Sequence, residues 1–115
     1  MIKIYHNPRC RKSREALQYL EKTGHPIEVV LYLKHPLTTS KLQKLIEQLN
    51  IRPEALIRTE EALWKTQYRG KELSDEALID LMIKEPRLMQ RPIVVYKDKA
   101  IIARPADILD NFIEL

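Results

Sequence analysis

The single cysteine of the chain, Cys10, lies where a thiol can act as a nucleophile. It falls between a predicted strand and a predicted helix that begins at Arg11, directly after the turn signal Asn7-Pro8. Its neighbours are basic: Arg9, Arg11 and Lys12. A lone cysteine is usually a small buried apolar residue, but such cations do not belong in a core. Because the N–H groups of a helix start and nearby cations both stabilise a thiolate, we predict a partly exposed Cys10 with a lowered pKa.

Polar side chains near Cys10 are candidates to support the thiolate. Ser13 lies where dithiol oxidoreductases carry a second cysteine, and because a hydroxyl cannot resolve a disulfide, any resolving thiol must come from another molecule. This hydroxyl is expected to hydrogen-bond the thiolate or a first-turn amide, the alternative being a plain first-turn serine. His6 is expected to pair with the thiolate or orient the loop, unless it is an ordinary histidine at a strand end. Asn7 and Arg11 complete the predicted supporting residues of this loop.

Three arginines lie at the edges of predicted elements: Arg58, Arg91 and Arg104. A solvated surface arginine is the default interpretation of each, and spacing alone does not bring them together. A guanidinium stays charged, however, and its fork matches two oxygens of a tetrahedral oxyanion. A helix start also binds anions, so an arginine that lies near Cys10 would bind the same anion as the helix start.

Length and composition indicate a single soluble globular domain. The chain has 115 residues, of which 44% are hydrophobic and 31% are charged. Two glycines exclude a glycine-rich phosphate loop, and one cysteine excludes an internal disulfide. A single free thiol fits a reducing, cytoplasmic compartment. No apolar run approaches the ~20 residues of a membrane span, and the first ten residues, MIKIYHNPRC, lack a secretory signal.

Charge and ligand counts exclude two further classes of protein. The net charge is +4, from 20 basic and 16 acidic residues, and most charges alternate in sign along the chain. We therefore expect no nucleic-acid partner, since a nucleic-acid reader usually carries a basic stripe. Three histidines and one cysteine offer no second pair of metal ligands, so we expect no metal site.

Hydrophobic periodicity and turn signals predict an alternation of strands and helices. The predicted strands are Ile2–Tyr5, Ile27–Leu33, Pro92–Tyr96 and Ala100–Ala103, the last two joined by a turn at Lys97-Asp98-Lys99. The predicted helices are 11–22, one from the caps at 38–40 to Leu49, a short one at Pro53, 74–84 and about 105–112. This order is α/β: a four-stranded mixed sheet flanked by helices, with a helical insertion at about 38–86. It is the thioredoxin-like architecture, another small α/β sandwich being the alternative, and we predict one domain over residues 1–115.

This architecture predicts a conformation and a position for the dipeptide Arg91-Pro92. A proline that opens a strand is where thioredoxin-like folds place a cis peptide bond facing the active-site cysteine. We therefore predict that the Arg91–Pro92 bond is cis and adjoins the Cys10 loop, with Pro92 as a supporting residue.

The cysteine segment also resembles a known family. The run Tyr5-His6-Asn7-Pro8-Arg9-Cys10, followed by Ser13-Arg14, is similar to the active-site segment of the glutaredoxin-dependent arsenate reductases, which belong with the Spx-type proteins to one superfamily. The similarity covers nearly the whole chain, in order. Its further segments are Leu31-Tyr32-Leu33, 55–58, 78–82, 91–95 and Arg104-Pro105.

This resemblance implies roles for named residues. It implies a catalytic cysteine at Cys10, oxyanion-binding arginines at Arg58, Arg91 and Arg104, and supporting residues at His6 and Ser13. With these implied roles, we predict that the three arginines converge on one anion site above Cys10. The implied reaction reduces arsenate to arsenite, with glutathione as co-substrate, glutaredoxin as the protein that recycles the thiol, and no bound cofactor. The implied setting is the cytoplasm, and we expect a monomer.

Two departures from the family leave an alternative open. Between Cys10 and Ser13 the chain has Arg11-Lys12 where well-characterised members have Gly-Thr, and it ends without the tail that some members carry. The alternative is an Spx-like regulatory relative of the same fold, which binds a protein and has no arsenate activity. Those regulators typically carry a Cys-x-x-Cys switch, whereas this chain has one cysteine and retains the arginine set.

Overall fold

The structure is a computed structural model, and it describes residues 1–113. The chain divides into two compact units. The first, called here the sheet unit, comprises Met1–His35 and Arg91–Leu115. The second, called the helical unit, comprises Pro36–Gln90 and contains the predicted insertion at about 38–86.

The sheet unit contains a four-stranded mixed sheet in the order β2-β1-β3-β4. The strands are β1 (Ile2–Tyr5), β2 (Ile27–Val30), β3 (Ile93–Tyr96) and β4 (Lys99–Ile102). Strand β1 pairs in parallel with β2 and antiparallel with β3, and β3 pairs antiparallel with β4. Because parallel neighbours need a crossover, the chain between β1 and β2 forms a helix that packs against the sheet.

The core of the sheet unit joins the central strand to the helices. Helix α1 (Arg11–Glu21) buries Ala16 and Leu20 against Ile2 and Ile4 of β1. The remaining members of this core come from the strands and the C-terminal segment: Val94, Ala103, Leu109 and Ile113. The helix ends near Gly24, which adopts φ 81°, a conformation that favours glycine.

Several predicted boundaries in the sheet unit are wrong, most by a single residue. Strand β2 ends at Val30 instead of Leu33, because its partner β1 ends at Tyr5, which is paired with Val30. Beyond that point the chain turns, and the N–H groups of Lys34 and His35 both donate to the carbonyl of Leu31 at 3.0 Å. The hairpin turn is also shorter than predicted, since Lys99 already pairs with Tyr96.

The helical unit contains three α-helices: α2 (Thr39–Leu49), α3 (Ala62–Gln67) and α4 (Asp75–Lys84). Short 3-10 turns occur at Pro53–Leu56 and Pro86–Leu88. The hydroxyls of Thr38 and Ser74 cap α2 and α4, accepting hydrogen bonds from Lys41 N–H and Ala77 N–H. Sequence analysis does not predict α3, because none of its residues is buried and it shows no apolar stripe.

The described chain confirms the predicted fold class, an α/β protein with a four-stranded mixed sheet flanked by helices. The final predicted helix begins as a 3-10 turn, Ala106–Ile108, and continues as helix α5 (Leu109–Phe112). Across residues 1–113, no helix has the length and apolar character needed to cross a membrane. In the same residues, no three histidine, cysteine, aspartate or glutamate side chains are grouped so that they can hold a metal ion.

Candidate active site around Cys10

Cys10 occupies the N-cap position of α1, in the loop that follows β1. Its backbone is extended, with φ −93° and ψ 120°. The N–H of Cys10 donates to the Asn7 carbonyl at 3.0 Å, and its own carbonyl accepts from the Arg14 N–H at 3.0 Å. The residue is a free cysteine of intermediate exposure. A partly exposed thiol therefore lies at a helix start, where N–H groups without helical partners favour an anion.

The pKa of the Cys10 thiol is lowered from its ordinary value. Burial taken alone would raise this pKa, but the hydrogen bonds and charges around the thiol outweigh burial. They are, from largest to smallest, the Ser13 backbone N–H, the positive charge of Arg91, the Lys12 backbone N–H and a hydrogen bond from the Arg91 side chain. Each of them stabilises the thiolate more than the neutral thiol. The pKa shift has the direction predicted from the sequence.

The helix-start N–H groups act on the thiol as predicted, but the cation that contributes differs from the cations named in the sequence prediction. The side chain of Arg11 is 84% exposed and forms an ion pair with Glu15 at 3.2 Å. Lys12 pairs with the same carboxylate at 3.7 Å and acts on the thiol through its backbone N–H. Residues three and four positions apart lie on one helix face, so Glu15 draws both cations along the helix. The side-chain cation that lowers the pKa of Cys10 is Arg91, from the far end of the sequence.

His6 and Ser13 fix the Cys10 loop through hydrogen bonds from buried positions. Both are buried, with exposed fractions of 6% and 0%. His6 Nδ1 lies 2.6 Å from Ser13 Oγ, and the same hydroxyl accepts the Asn7 N–H at 3.0 Å. The Ser13 hydroxyl thus fixes the loop, while the Ser13 backbone N–H bonds the thiol. Of the roles predicted for His6, the geometry supports loop orientation. Burial and then the charge of Arg14 lower the pKa of His6, which keeps the ring neutral near pH 7.

Two further contacts make the loop rigid. The side-chain oxygen of Asn7 accepts the Arg9 N–H at 3.0 Å, a local turn typical of asparagine. Arg14 Nη1 donates to the Pro8 carbonyl at 2.9 Å. Helical side chains lean toward the N-terminus of their helix, which explains how Arg14 reaches back to the loop. Sequence analysis did not select Arg14 as a site residue, although its place one turn after Cys10 is a signal that could have done so.

Arg91 lies next to Cys10 and immediately before β3. The charge of Arg91 and a hydrogen bond from its side chain both lower the pKa of the Cys10 thiol. The Arg91 Nε atom is buried and finds no hydrogen-bond partner in residues 1–113. The Arg91–Pro92 peptide bond is cis, as predicted, and Pro92 is fully buried. Arg91 is therefore not a solvated surface arginine.

Arg104 shares an edge of the sheet with Arg91. The register pairs Tyr5 with Ile93 and Ile93 with Ile102, so β1 ends where β3 begins and β4 ends. The Ala103 N–H donates to the Pro92 carbonyl at 2.9 Å, which extends this alignment beyond the strands. The Arg104 side chain is exposed, and the Arg104–Pro105 bond is also cis. The fold thus brings two of the three predicted arginines to the edge that carries the Cys10 loop.

Arg58 belongs to the helical unit. Its backbone N–H donates to the Leu88 carbonyl at 2.7 Å, next to an isolated bridge between Ile57 and Met89. Its side chain is 21% exposed, with Nη2 at 3.4 Å from Glu61 Oε2 and Nη1 donating to the Arg87 carbonyl at 3.2 Å. The Arg58 guanidinium is thus held by Glu61 and by the Arg87 carbonyl. That Arg58 converges on Cys10 stays a prediction. Sequence analysis missed Glu61, although its place three residues after Arg58 is a signal for such a pair.

A four-stranded mixed sheet with one cysteine at the start of its first helix defines a thioredoxin-like protein that carries a single thiol at this position. The sequence profile of the ArsC family matches residues 5–112. The chain belongs to the ArsC family.

Similar proteins fall into curated relatives and solved structures. The chain is 46% identical over 108 residues to the uncharacterized protein YfgD of Escherichia coli strain K12, covering 92% of this chain and 91% of YfgD. It is 38% identical over 108 residues to an arsenate reductase of Neisseria meningitidis serogroup A, covering 92% of each chain. The structure of an arsenate reductase from Vibrio cholerae matches with a TM-score of 0.92 and 38% identity, covering 97% of both chains.

Proposed function

We propose that this protein is an arsenate reductase, an oxidoreductase that uses Cys10 as its nucleophile and glutathione with glutaredoxin as its reductant. One observation carries the proposal: Arg91 bonds the Cys10 thiol and also holds a buried Nε with no partner in residues 1–113. A guanidinium placed in this way can stabilise the thiolate and bind an oxygen of the incoming anion. The naming of relatives at 33–38% identity as arsenate reductases supports this choice of oxyanion. The protein is proposed to act as a monomer in the cytoplasm.

The first proposed step joins sulfur to arsenic. The Cys10 thiolate attacks the arsenic of arsenate, an As–O bond breaks, and the departing oxygen leaves as water after protonation. The product is a cysteine–arsenic(V) adduct. Since both reactants are anions, the site needs positive charge in surplus, and Arg91 and Arg104 at the same edge of the sheet are proposed to supply it. The family resemblance adds Arg58 as a third ligand of the oxyanion.

The next proposed steps need thiols from outside the chain. Glutathione condenses with an As–OH group, which forms an As–S bond and releases water. A second thiol, that of glutaredoxin, attacks the glutathione sulfur and forms a mixed disulfide with it. The bond between glutathione sulfur and arsenic breaks, and its electron pair stays on arsenic, which reduces arsenic(V) to arsenic(III). Water then cleaves the bond between Cys10 and arsenic, releasing arsenite and the free thiol. An external thiol is required because Ser13 cannot form a disulfide and the chain has no second cysteine.

A turnover assay with matched proteins tests this function. Arsenite formation is measured with arsenate, glutathione and glutaredoxin for the wild type and for Cys10→Ser, with circular dichroism to check that both are folded. We expect loss of turnover by at least ~10³-fold in the variant, since a serine hydroxyl is a far weaker nucleophile at neutral pH. Equal activity of the two proteins would rule out the role of Cys10. A folded wild type that reduces no arsenate would favour the Spx-like alternative, in which the protein binds a partner.

A further inference from the structure

A groove of about 390 Å³ lies beside the Cys10 loop, entirely within the sheet unit. One wall is the loop His6-Asn7-Pro8-Arg9, which ends one residue before Cys10, and the other is formed by Leu31, Leu33 and Lys34. We call it the Lys34 groove. The proposed reaction needs a thiol co-substrate next to Cys10.

The position of the groove follows from the parallel pairing of β1 and β2. Parallel strands end at the same edge of a sheet, so the loop after Tyr5 and the turn after Val30 come to face each other. The His6 N–H, which donates to the Val30 carbonyl at 2.9 Å, joins the two walls at their base. Open α/β sheets bind ligands outside the carboxyl ends of their strands, which is where this groove lies.

Hydrogen bonds within the chain fix the two walls. In the loop, Arg14 holds the Pro8 carbonyl, and Asn7 accepts the Arg9 N–H. In the turn, the N–H groups of Lys34 and His35 share the Leu31 carbonyl. A preformed groove lowers the ordering cost of binding a small flexible molecule.

The lining is apolar at its walls and basic at its rim. Pro8, Leu31 and Leu33 give apolar surface, and Leu33 remains 40% exposed, unusual for a leucine of this unit. Arg9 and Lys34 are exposed cations, and the groove is lined by no acidic residue among those the structure describes. Such a lining complements a peptide-sized molecule that carries carboxylates.

We propose that the Lys34 groove binds the small thiol co-substrate, a tripeptide thiol of the glutathione class, and holds it beside Cys10 for attack on arsenic. The inference rests on the proposed function. A tripeptide of this class carries two carboxylates for Lys34 and Arg9, and an extended stem for the leucine wall. Its volume suits the groove, since small-molecule sites span ~300–1,000 Å³.

Binding can be tested apart from catalysis. S-methylglutathione, which has no free thiol, is titrated into isotope-labelled wild-type protein and followed by amide NMR shifts. We expect saturable shifts at residues 6, 7, 9 and 31–35, weakened by added salt because the contacts are ionic. Shifts confined to other residues, or no saturable shifts, would overturn the groove as the binding site.

Steady-state kinetics with a charge-reversed rim gives the second test. For Lys34→Glu we expect roughly a ten-fold increase in KM for glutathione, with KM for arsenate unchanged. Lys22→Glu is the matched control: it reverses an exposed lysine in the same unit at the C-terminal end of α1, away from the loop. It should leave both constants unchanged.

The outcomes separate the groove from the proposed function. Normal arsenate turnover with an unchanged KM for glutathione in Lys34→Glu overturns the groove and leaves the function intact. A selective increase in KM for glutaredoxin also overturns it, because the groove would then dock a protein. If the wild type reduces no arsenate, the function fails, while the NMR titration still decides whether the groove binds the tripeptide.

Discussion

The two units hold their cationic and nucleophilic groups in different ways. In the sheet unit, the surroundings of Cys10 come largely from the backbone: the Ser13 and Lys12 N–H groups bond the thiol, and Cys10 itself bonds Asn7. In the helical unit, the backbone of Arg58 is fixed by Leu88, but its guanidinium also pairs with the carboxylate of Glu61. The sheet unit stabilises the Cys10 thiolate largely with backbone N–H groups, whereas the helical unit pairs the Arg58 guanidinium with the Glu61 side chain.

This difference indicates which properties substitution can tune. Backbone N–H groups persist whatever the side chain at their position, so the part of the low pKa of Cys10 that comes from Ser13 and Lys12 should survive side-chain replacement. The charge available at Arg58, in contrast, depends on Glu61, a residue that mutation can neutralise without moving the backbone. Arg91 is the exception in the sheet unit, because it acts on the thiol through a side chain.

Replacing Arg91 should have the largest effect among the arginines. In Arg91→Ala the thiolate loses both a charge and a hydrogen bond, so the pKa of Cys10 should rise. The rate of thiol alkylation follows the thiolate, which increases with pH through the pKa, so the alkylation midpoint should move to higher pH. Loss of one oxyanion donor should also lower kcat/KM for arsenate by about 10²–10³-fold, or ~3–4 kcal/mol. The measurements are alkylation against pH and arsenate turnover.

The control for this variant is Arg69→Ala, which removes an exposed arginine. It should match the wild type in both measurements. An unchanged alkylation midpoint in Arg91→Ala would contradict the assignment of Arg91 as the side chain that stabilises the thiolate, and would leave the backbone as its source.

Arg58→Ala separates the two units functionally. If Arg58 binds the oxyanion, kcat/KM for arsenate should fall by about 30-fold, or ~2 kcal/mol, the low end expected because Glu61 already offsets part of its charge. The alkylation midpoint of Cys10 should stay at the wild-type value, since Arg58 is not among the groups that shift the pKa of this thiol. Turnover equal to that of Arg69→Ala would show that Arg58 is not an oxyanion ligand.

The sequence predicts most reliably the elements that a core defines. Buried Ile2 and Ile4 are two residues apart on β1, and buried Ala16 and Leu20 are four residues apart on α1. These spacings are typical of a strand and of a helix, so both elements can be predicted from the sequence. Helix α3 buries no residue and shows no such spacing. The end of β2 depends on where β1 stops pairing, which is a property of two segments and not of either sequence alone.

The candidate site also has a local part that the sequence predicts and a long-range part that it does not. The helix start at Cys10 is local, so the direction of its pKa shift follows from the sequence. The identity of the cation is not local: Arg11 and Lys12 turn to Glu15 along the helix, whereas Arg91 reaches the thiol through strand pairing. Adjacent charges were therefore a poor guide to the electrostatics of the thiol, and the tertiary fold decides which charge counts.

The smallest effect is expected from Glu61→Gln, and it tests the contrast between the units most finely. The amide keeps the shape of the carboxylate but loses its charge, so if Arg58 binds the oxyanion, the oxyanion no longer competes with Glu61 for the guanidinium. We expect KM for arsenate to fall by about two- to five-fold, the size of a partly exposed ion pair, with the pKa of Cys10 unchanged. Glu60→Gln, which neutralises the exposed neighbour, is the control and should leave KM unaltered. An increase in KM for Glu61→Gln would mean that the carboxylate positions Arg58 for the substrate, so that the pair serves to orient the guanidinium and does not restrain its charge.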